Sequence, residues 1–135
     1  MKVLLFGGSG LLGKELLKIN SEVLAPSRGE VDINNYSALE EYIILASPEI
    51  IINAAADIDN RKIEKFPNDA IQTNIVGAAN LATICHNRGI RLVYISTDYI
   101  YQGSQGNYKE SDPILPFNLY AWTKLGGECS VKCVK

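Results

Sequence analysis

Three glycines spaced G-x-x-G-x-x-G, Gly7, Gly10 and Gly13, follow directly on the apolar run Val3-Leu4-Leu5-Phe6. An uninterrupted run of that kind suits a parallel strand buried on both faces, and Leu12, Leu16 and Ile19 then recur at helical spacing. The glycines therefore sit at a strand-to-helix turn. There they let the backbone turn tightly, leave room for a pyrophosphate at the positive helix N-terminus, and bring helix and strand close together.

The rest of the sequence alternates in the same way. Residues 22–25 read as a short second strand that stops at Pro26, whose missing N–H suits a strand end, and residues 27–35 read as a loop. A carboxylate about 20 residues after the first glycine ordinarily holds the ribose 2′-hydroxyl of a dinucleotide, but that position carries Ser27-Arg28. A hydroxyl and a cation suit a 2′-phosphate better than a bare ribose; otherwise Arg28 is a solvated loop charge. Leu39, Tyr42, Ile43 and Ala46 predict an amphipathic helix that Asn34 or Asn35 caps and that ends before Pro48. Ile50-Ile51-Ile52 predicts a third parallel strand. The small side chains of Asn53-Ala54-Ala55-Ala56 then let a ligand lie against the backbone at the strand's carboxyl end, where open α/β sheets bind their ligands.

Residues 57–66 are polar and read as a loop over the sheet edge. Pro67 opens a long helix running to about Arg88 and closed by Gly89. Its run Gly77-Ala78-Ala79 permits close packing on the sheet, and Asn74 is either a satisfied core amide or a group that fixes the loops of a site. Residues 91–95 predict a fourth strand of the same buried type, ending in Ser96-Thr97-Asp98 at the ligand edge. Residues 103–117 form a long loop of the kind that covers a site, and Asn118 caps a last helix. This alternation implies right-handed crossovers and an α/β fold with a doubly wound parallel sheet.

With 135 residues, 47% of them hydrophobic, the chain is one domain able to bury roughly two-thirds of the surface its unfolded form exposes. No apolar run approaches the roughly 20 residues of a membrane span and no signal-peptide pattern precedes the first strand, so a cytoplasmic protein is expected. Cys85, Cys129 and Cys133 lack metal-ligand spacing and fit reduced thiols. A net charge of −2 with scattered Lys and Arg leaves no basic stripe for nucleic acid.

Tyr120 and Lys124 stand four apart on one helix face. A phenol titrates near pH ~10, but a neighbouring ammonium stabilises the phenolate and lowers that value, so the pair can trade a proton with a carbonyl or alcohol.

Taken together, Gly7-x-x-Gly10-x-x-Gly13, Asn53-Ala54-Ala55-Ala56, Ser96-Thr97-Asp98-Tyr99 and Tyr120-x-x-x-Lys124 resemble the extended short-chain dehydrogenase/reductases. More narrowly, Ser96-Thr97-Asp98-Tyr99-Ile100-Tyr101-x-Gly103, Tyr108-x-Glu110-x-Asp112-Pro113 and Asn118-x-Tyr120-x-x-x-Lys124-Leu125-x-Gly127-Glu128 are similar to the dTDP-4-dehydrorhamnose reductase family. The resemblance runs from residue 1 to about 128. It implies a Rossmann-like NAD(P)-binding domain over residues 1–135 that uses NADP(H), or NAD(H), to deliver hydride to C4 of a 4-keto-6-deoxy nucleotide-sugar. By position, Gly7, Gly10, Leu11, Leu12, Gly13, Ser27, Arg28, Asn53, Ala54, Ala55 and Ala56 would hold the dinucleotide, with Asp32 and Ile33 lining its adenine. Thr97 would hydrogen-bond the keto oxygen, Tyr120 would donate the proton, Lys124 would hold the nicotinamide ribose and tune Tyr120, and Asp98 and Tyr99 would lie near the sugar.

Members of that family continue well past the position of Lys124 into a small substrate domain, which this sequence is expected to lack. A second reading is therefore a non-catalytic dinucleotide-binding regulatory or scaffold subunit, similar to the regulatory subunit of methionine adenosyltransferase. The strand at residues 91–95 is expected to be an edge, which predicts a homo-oligomer covering it or the adjoining Trp122 face; otherwise the loop at 103–117 shields it.

Overall fold

The computed structural model describes residues 1–134. Val3–Phe6 forms β1, Ile50–Asn53 forms β2 and Arg91–Tyr94 forms β3. All pairing is parallel in the order β1-β2-β3, and the register sets Phe6, Asn53 and Tyr94 side by side at the carboxyl edge. Between and after the strands run helices α1 (Leu11–Ile19), α2 (Tyr36–Ala46), α3 (Asn60–Lys65), α4 (Pro67–Ala70), α5 (Gly77–Arg88) and α6 (Leu119–Cys133). The expected α/β architecture is the one observed. No helix among the described residues is long and apolar enough to cross a membrane.

The apolar runs become strands because both of their faces find cover. Leu4, Phe6 and Ile51 are buried in one cluster with Leu39 and Ile43 of α2 and Leu81, Ile84 and Cys85 of α5, while Leu5, pointing the opposite way, is equally buried. Burial raises the Cys85 thiol to about 12 and leaves it inert. Asn35, one of the two candidate caps, accepts from Ala38 N at the start of α2, which ends at Ser47 ahead of Pro48.

Several elements differ from the sequence reading. The strand expected over 22–25 contracts to a single bridge: Leu24 N donates to Val3 O and Leu5 N to Leu24 O, on the side of β1 away from β2. A turn before it and Pro26 after it leave no room for a longer ladder. The chain thus visits one flank of β1 and returns to the other, which makes the carboxyl end between β1 and β2 the point where strand order switches. In α1 the expected apolar face is not buried, Leu12 being 43% and Ile19 83% exposed. The helix meets the sheet through Gly13, where an added Cβ would collide with Gly7 O and lie 2.7 Å from Gly8 Cα.

Within the expected loop at 57–66, Asp59 caps α3 by accepting from Arg61 N and Lys62 N, and Ile63 alone anchors it in the core. The long helix from Pro67 to Arg88 is continuous but carries a π-helical segment, Ile71–Val76, between α4 and α5; Gly89 closes it with φ +66°. β3 is an edge as expected, yet it is not of the buried type: Val93 is 39% exposed and Arg91 is exposed.

Candidate functional site

A cleft of about 510 Å³ opens at the carboxyl ends of β1 and β2. Of the residues that sequence marked for the dinucleotide, Gly7, Gly10, Ser27, Arg28, Asp32, Ile33 and residues 54–56 line it. Gly7 makes the turn with φ +92°, a conformation side chains disfavour, and its α-carbon passes so close to β2 that a Cβ would lie 2.5 Å from Ala54 C. Gly10 differs, since the nearest atom to a Cβ there is Gly7 O at 3.3 Å. It is the N-cap of α1, with no side-chain cap and no acidic residue in the first turn, so the helix presents free backbone N–H groups. A cradle of that shape and polarity fits a dinucleotide's pyrophosphate.

Leu11, Leu12, Gly13 and Asn53 stand outside the lining of the cleft. Leu11 and Leu12 supply backbone N–H groups of the first turn, and Gly13 supplies the close packing. Asn53 is buried and acts from beneath, its Oδ1 accepting from Ala55 N at 3.1 Å to shape the turn that follows β2.

At the far end of the cleft lies a carboxylate that the sequence reading passed over. Glu30 Oε2 accepts from Ser27 N at 2.7 Å and from Ser27 Oγ at 2.8 Å. The S-x-x-E spacing of Ser27 and Glu30 is the signal that could have found it. Arg28 donates through Nε to Asp32 Oδ2 at 3.2 Å in an exposed pair.

The same sheet edge holds Lys124. It is 3% exposed, its Nζ donates to Ile95 O at 2.6 Å, and it sits 4.2 Å from the centre of the Tyr94 ring. The Ile95 N–H bonds Asn53 O, so this carbonyl directly continues the edge that carries residues 54–56. Tyr120 shares its corner with Tyr99, whose ring meets it edge-on at 6.2 Å, and with Thr97 and Asp98. Thr97 Oγ1 accepts from Tyr99 N and caps the short 3₁₀ turn Asp98–Ile100.

Here the expected tuning is reversed. Burial raises the Tyr120 phenol above its ordinary value, the Thr97 hydroxyl works against that rise, and Tyr99 and Asp98 add to it. The ammonium of Lys124 is directed at a backbone carbonyl and does not lower the phenol. Burial brings Lys124 itself down to about 8, opposed by Glu128. Between about pH 8 and the ordinary lysine value of 10.5, the unfolded chain holds a proton that the folded chain has released. Stability attributable to Lys124 therefore increases as pH rises through that window. In urea melts from pH 8 to pH 10, wild type should gain on the order of 2 kcal/mol relative to Lys124→Met. A constant difference would contradict the burial of the amine.

Two polar links hold the corner together. Asn74, buried in the π-helical segment, accepts from Asp57 N at 2.8 Å and donates to Asp57 O at 2.9 Å and Thr123 Oγ1 at 2.8 Å, while Thr123 donates to Tyr120 O. It is a satisfied core amide, and through those bonds it clamps the turn after β2 to α6. Ser96 Oγ donates to Glu128 Oε2 at 2.6 Å, tying the end of β3 to the helix that bears Lys124. Close approach of α6 is possible because Gly127 faces the Asn74 carbonyl and the Tyr94 hydroxyl, which itself donates to Lys124 O.

Asp98 and Tyr99, marked for the sugar, line a second cleft of about 560 Å³ with Tyr101, Tyr108 and Phe117; Thr97 stands outside its lining. The loop at 103–117 contributes much of that wall, with Tyr108 stacked on Tyr101 at 4.9 Å.

Residues 1–135 match the family described as the RmlD substrate binding domain. The dTDP-4-keto-6-deoxy-D-glucose reductase of Streptomyces niveus is 35% identical over 133 residues, covering 95% of this chain and 46% of that protein. Methionine adenosyltransferase 2 subunit beta of Bos taurus is 33% identical over 141 residues, covering 96% of this chain and 42% of that protein. The crystal structure of dTDP-4-dehydrorhamnose reductase from Bacillus anthracis in complex with NADP superimposes with a TM-score of 0.92 at 35% identity, over 99% of this chain and 50% of that one. The chain thus spans about half the length of the relatives it matches.

Proposed function

The chain belongs to the RmlD substrate binding domain family, and we propose that residues 1–135 are the NAD(P)H-binding and proton-donating part of a reductase acting on a 4-keto-6-deoxy nucleotide-sugar. The observation that carries this reading is the glycine-lined cleft at the β1–β2 switch point, sharing one sheet edge with Lys124. NADP accompanies the relative from Bacillus anthracis, and reductase names accompany the relatives from Streptomyces.

In this reading the backbone N–H groups of Leu11, Leu12 and Gly13 receive the pyrophosphate, Asp32 and Ile33 flank the adenine, and Lys124 holds the nicotinamide ribose. When bound, the reduced nicotinamide supplies a hydride for the 4-keto carbon. Thr97 hydrogen-bonds the keto oxygen, and Tyr120 donates the proton that this oxygen takes up. A phenol raised by burial is fully protonated at neutral pH, which suits a donor in the reducing direction. Asp98, Tyr99 and the aromatic wall of the second cleft serve the sugar nucleotide. The free thiols of Cys129 and Cys133 fit a cytoplasmic setting.

A second reading, a dinucleotide-binding subunit without turnover, is favoured by the 33% identity to methionine adenosyltransferase 2 subunit beta. One assay separates them. Purified protein is mixed with NADPH and a dTDP-4-keto-6-deoxysugar while absorbance of the reduced nicotinamide is followed. The reductase reading expects a loss of absorbance that Tyr120→Phe slows by about a hundredfold or more. No loss at high concentration of a protein that binds NADPH would overturn turnover by residues 1–135 on their own and favour the subunit reading for them.

A further inference from the structure

We infer that Glu30 occupies the subsite of the dinucleotide's 2′ group and sets the preference between NADH and NADPH, an inference that rests on the dinucleotide reading above. The donors at the position where such folds usually place a ribose-binding carboxylate, Ser27 N and Ser27 Oγ, are both engaged by Glu30 Oε2 at 2.7 and 2.8 Å. The turn is closed from the other direction, since Ser27 O accepts from Glu30 N and Val31 N, each at 3.1 Å. Ser27, Arg28 and Glu30 all line the cleft. The backbone N–H and hydroxyl of Ser27 hold the Glu30 carboxyl below its usual range, so it is an anion at neutral pH.

The two cofactors meet that anion differently. A 2′-phosphate, bearing about −1.5 to −2 charges, must displace the carboxylate from Ser27 or lie beside it, and either course is opposed by like charge. A 2′-hydroxyl is a donor, and Glu30 Oε1 accepts no hydrogen bond among the described residues. Arg28 pulls in the opposite sense. Its exposed pair with Asp32 is weak, so the guanidinium can turn to a phosphate at little cost. The pair Arg28 and Glu30 is thus a balance: the cation favours NADPH and the carboxylate favours NADH. The Ser27-Arg28 pair alone, on which the sequence reading rested, is half of it.

The test titrates NADH and NADPH separately into wild type, Glu30→Gln and Arg28→Ala at low ionic strength, following nicotinamide fluorescence. Glu30→Gln keeps the size and an acceptor for Ser27 while removing the charge, and circular dichroism reports that the fold is retained. The ratio of NADPH to NADH affinity should move about tenfold or more toward NADPH in Glu30→Gln and toward NADH in Arg28→Ala. A ratio unmoved by Glu30→Gln, with both cofactors still bound, would overturn the role of Glu30 and leave the dinucleotide reading standing. Failure of wild type and both variants to bind either cofactor would overturn both.

Discussion

Gly10→Val should bind NADH and NADPH roughly a hundredfold or more weakly than wild type while keeping a native circular dichroism spectrum. The backbone at Gly10, φ −74° and ψ 174°, is extended and open to any residue, and the nearest atom to an added Cβ is Gly7 O at 3.3 Å. Valine is a poor N-cap, which costs about 1 kcal/mol, so the fold persists. Its branched side chain, however, stands in the space between the glycine turn and the free N–H groups of α1, where a pyrophosphate must sit. Loss of those contacts, at 1.4 kcal/mol per tenfold, needs only about 3 kcal/mol to reach the expected effect. The neighbouring glycines give the contrast. Gly13→Val would collide with Gly7 O and should fail to fold, which assigns Gly13 to packing and Gly10 to the ligand. Unchanged affinity in a folded Gly10→Val protein would remove the glycine turn from the binding site.

Asn74→Leu should lower stability by about 3 kcal/mol in urea denaturation, although leucine has the same branching and number of side-chain heavy atoms as the amide. The substitution takes three hydrogen bonds at once and leaves Asp57 N–H, Asp57 C=O and Thr123 Oγ1 to find other partners near the buried face of α6. Since Thr123 also bonds Tyr120 O, release of the clamp loosens the helix that positions Tyr120 and Lys124. A loss under 1 kcal/mol would mean that the amide is incidental to the packing of the π-helical segment on α6.

What could be read from the sequence was whatever depends on neighbours in the chain. β1, the glycine turn and α2 follow from apolar period, glycine spacing and an Asn cap, all within a few residues of one another. α3 escaped because its only buried side chain is Ile63, and one anchor makes no periodicity. The π-helical segment left no local mark, since it is fixed by Asn74 reaching Thr123, 49 residues away. β3 looked fully buried from composition alone, but only the face bearing Leu92 and Tyr94 finds cover, and Arg91 and Val93 on the opposite face stand exposed.

The site divides along the same line. Gly7, Gly10, Ser27, Arg28 and residues 54–56 were legible from motif spacing, Asp32 and Ile33 from the family resemblance, and the fold brings them around one cleft. The Tyr120 and Lys124 pair was legible from its spacing, but the direction of the shift on its phenol was not. Tyr120 and Lys124 are one turn apart, yet Lys124 is captured by Ile95 O, 29 residues away, and burial controls both groups. Spacing shows a possible partner; only the packed structure shows which partner is taken.

The most direct measurement is a titration of isotopically labelled protein with NADH, followed residue by residue in amide nitrogen–proton spectra. A single saturable site should move the amides of Gly7, Gly10, Leu11, Leu12 and Gly13, of residues 27–33 and of residues 54–56, with smaller shifts at Ile95 beside Lys124. Spectra unchanged at millimolar cofactor, or shifts confined to the aromatic cleft around Tyr101 and Tyr108, would contradict the assignment of the β1–β2 cleft to a nicotinamide dinucleotide.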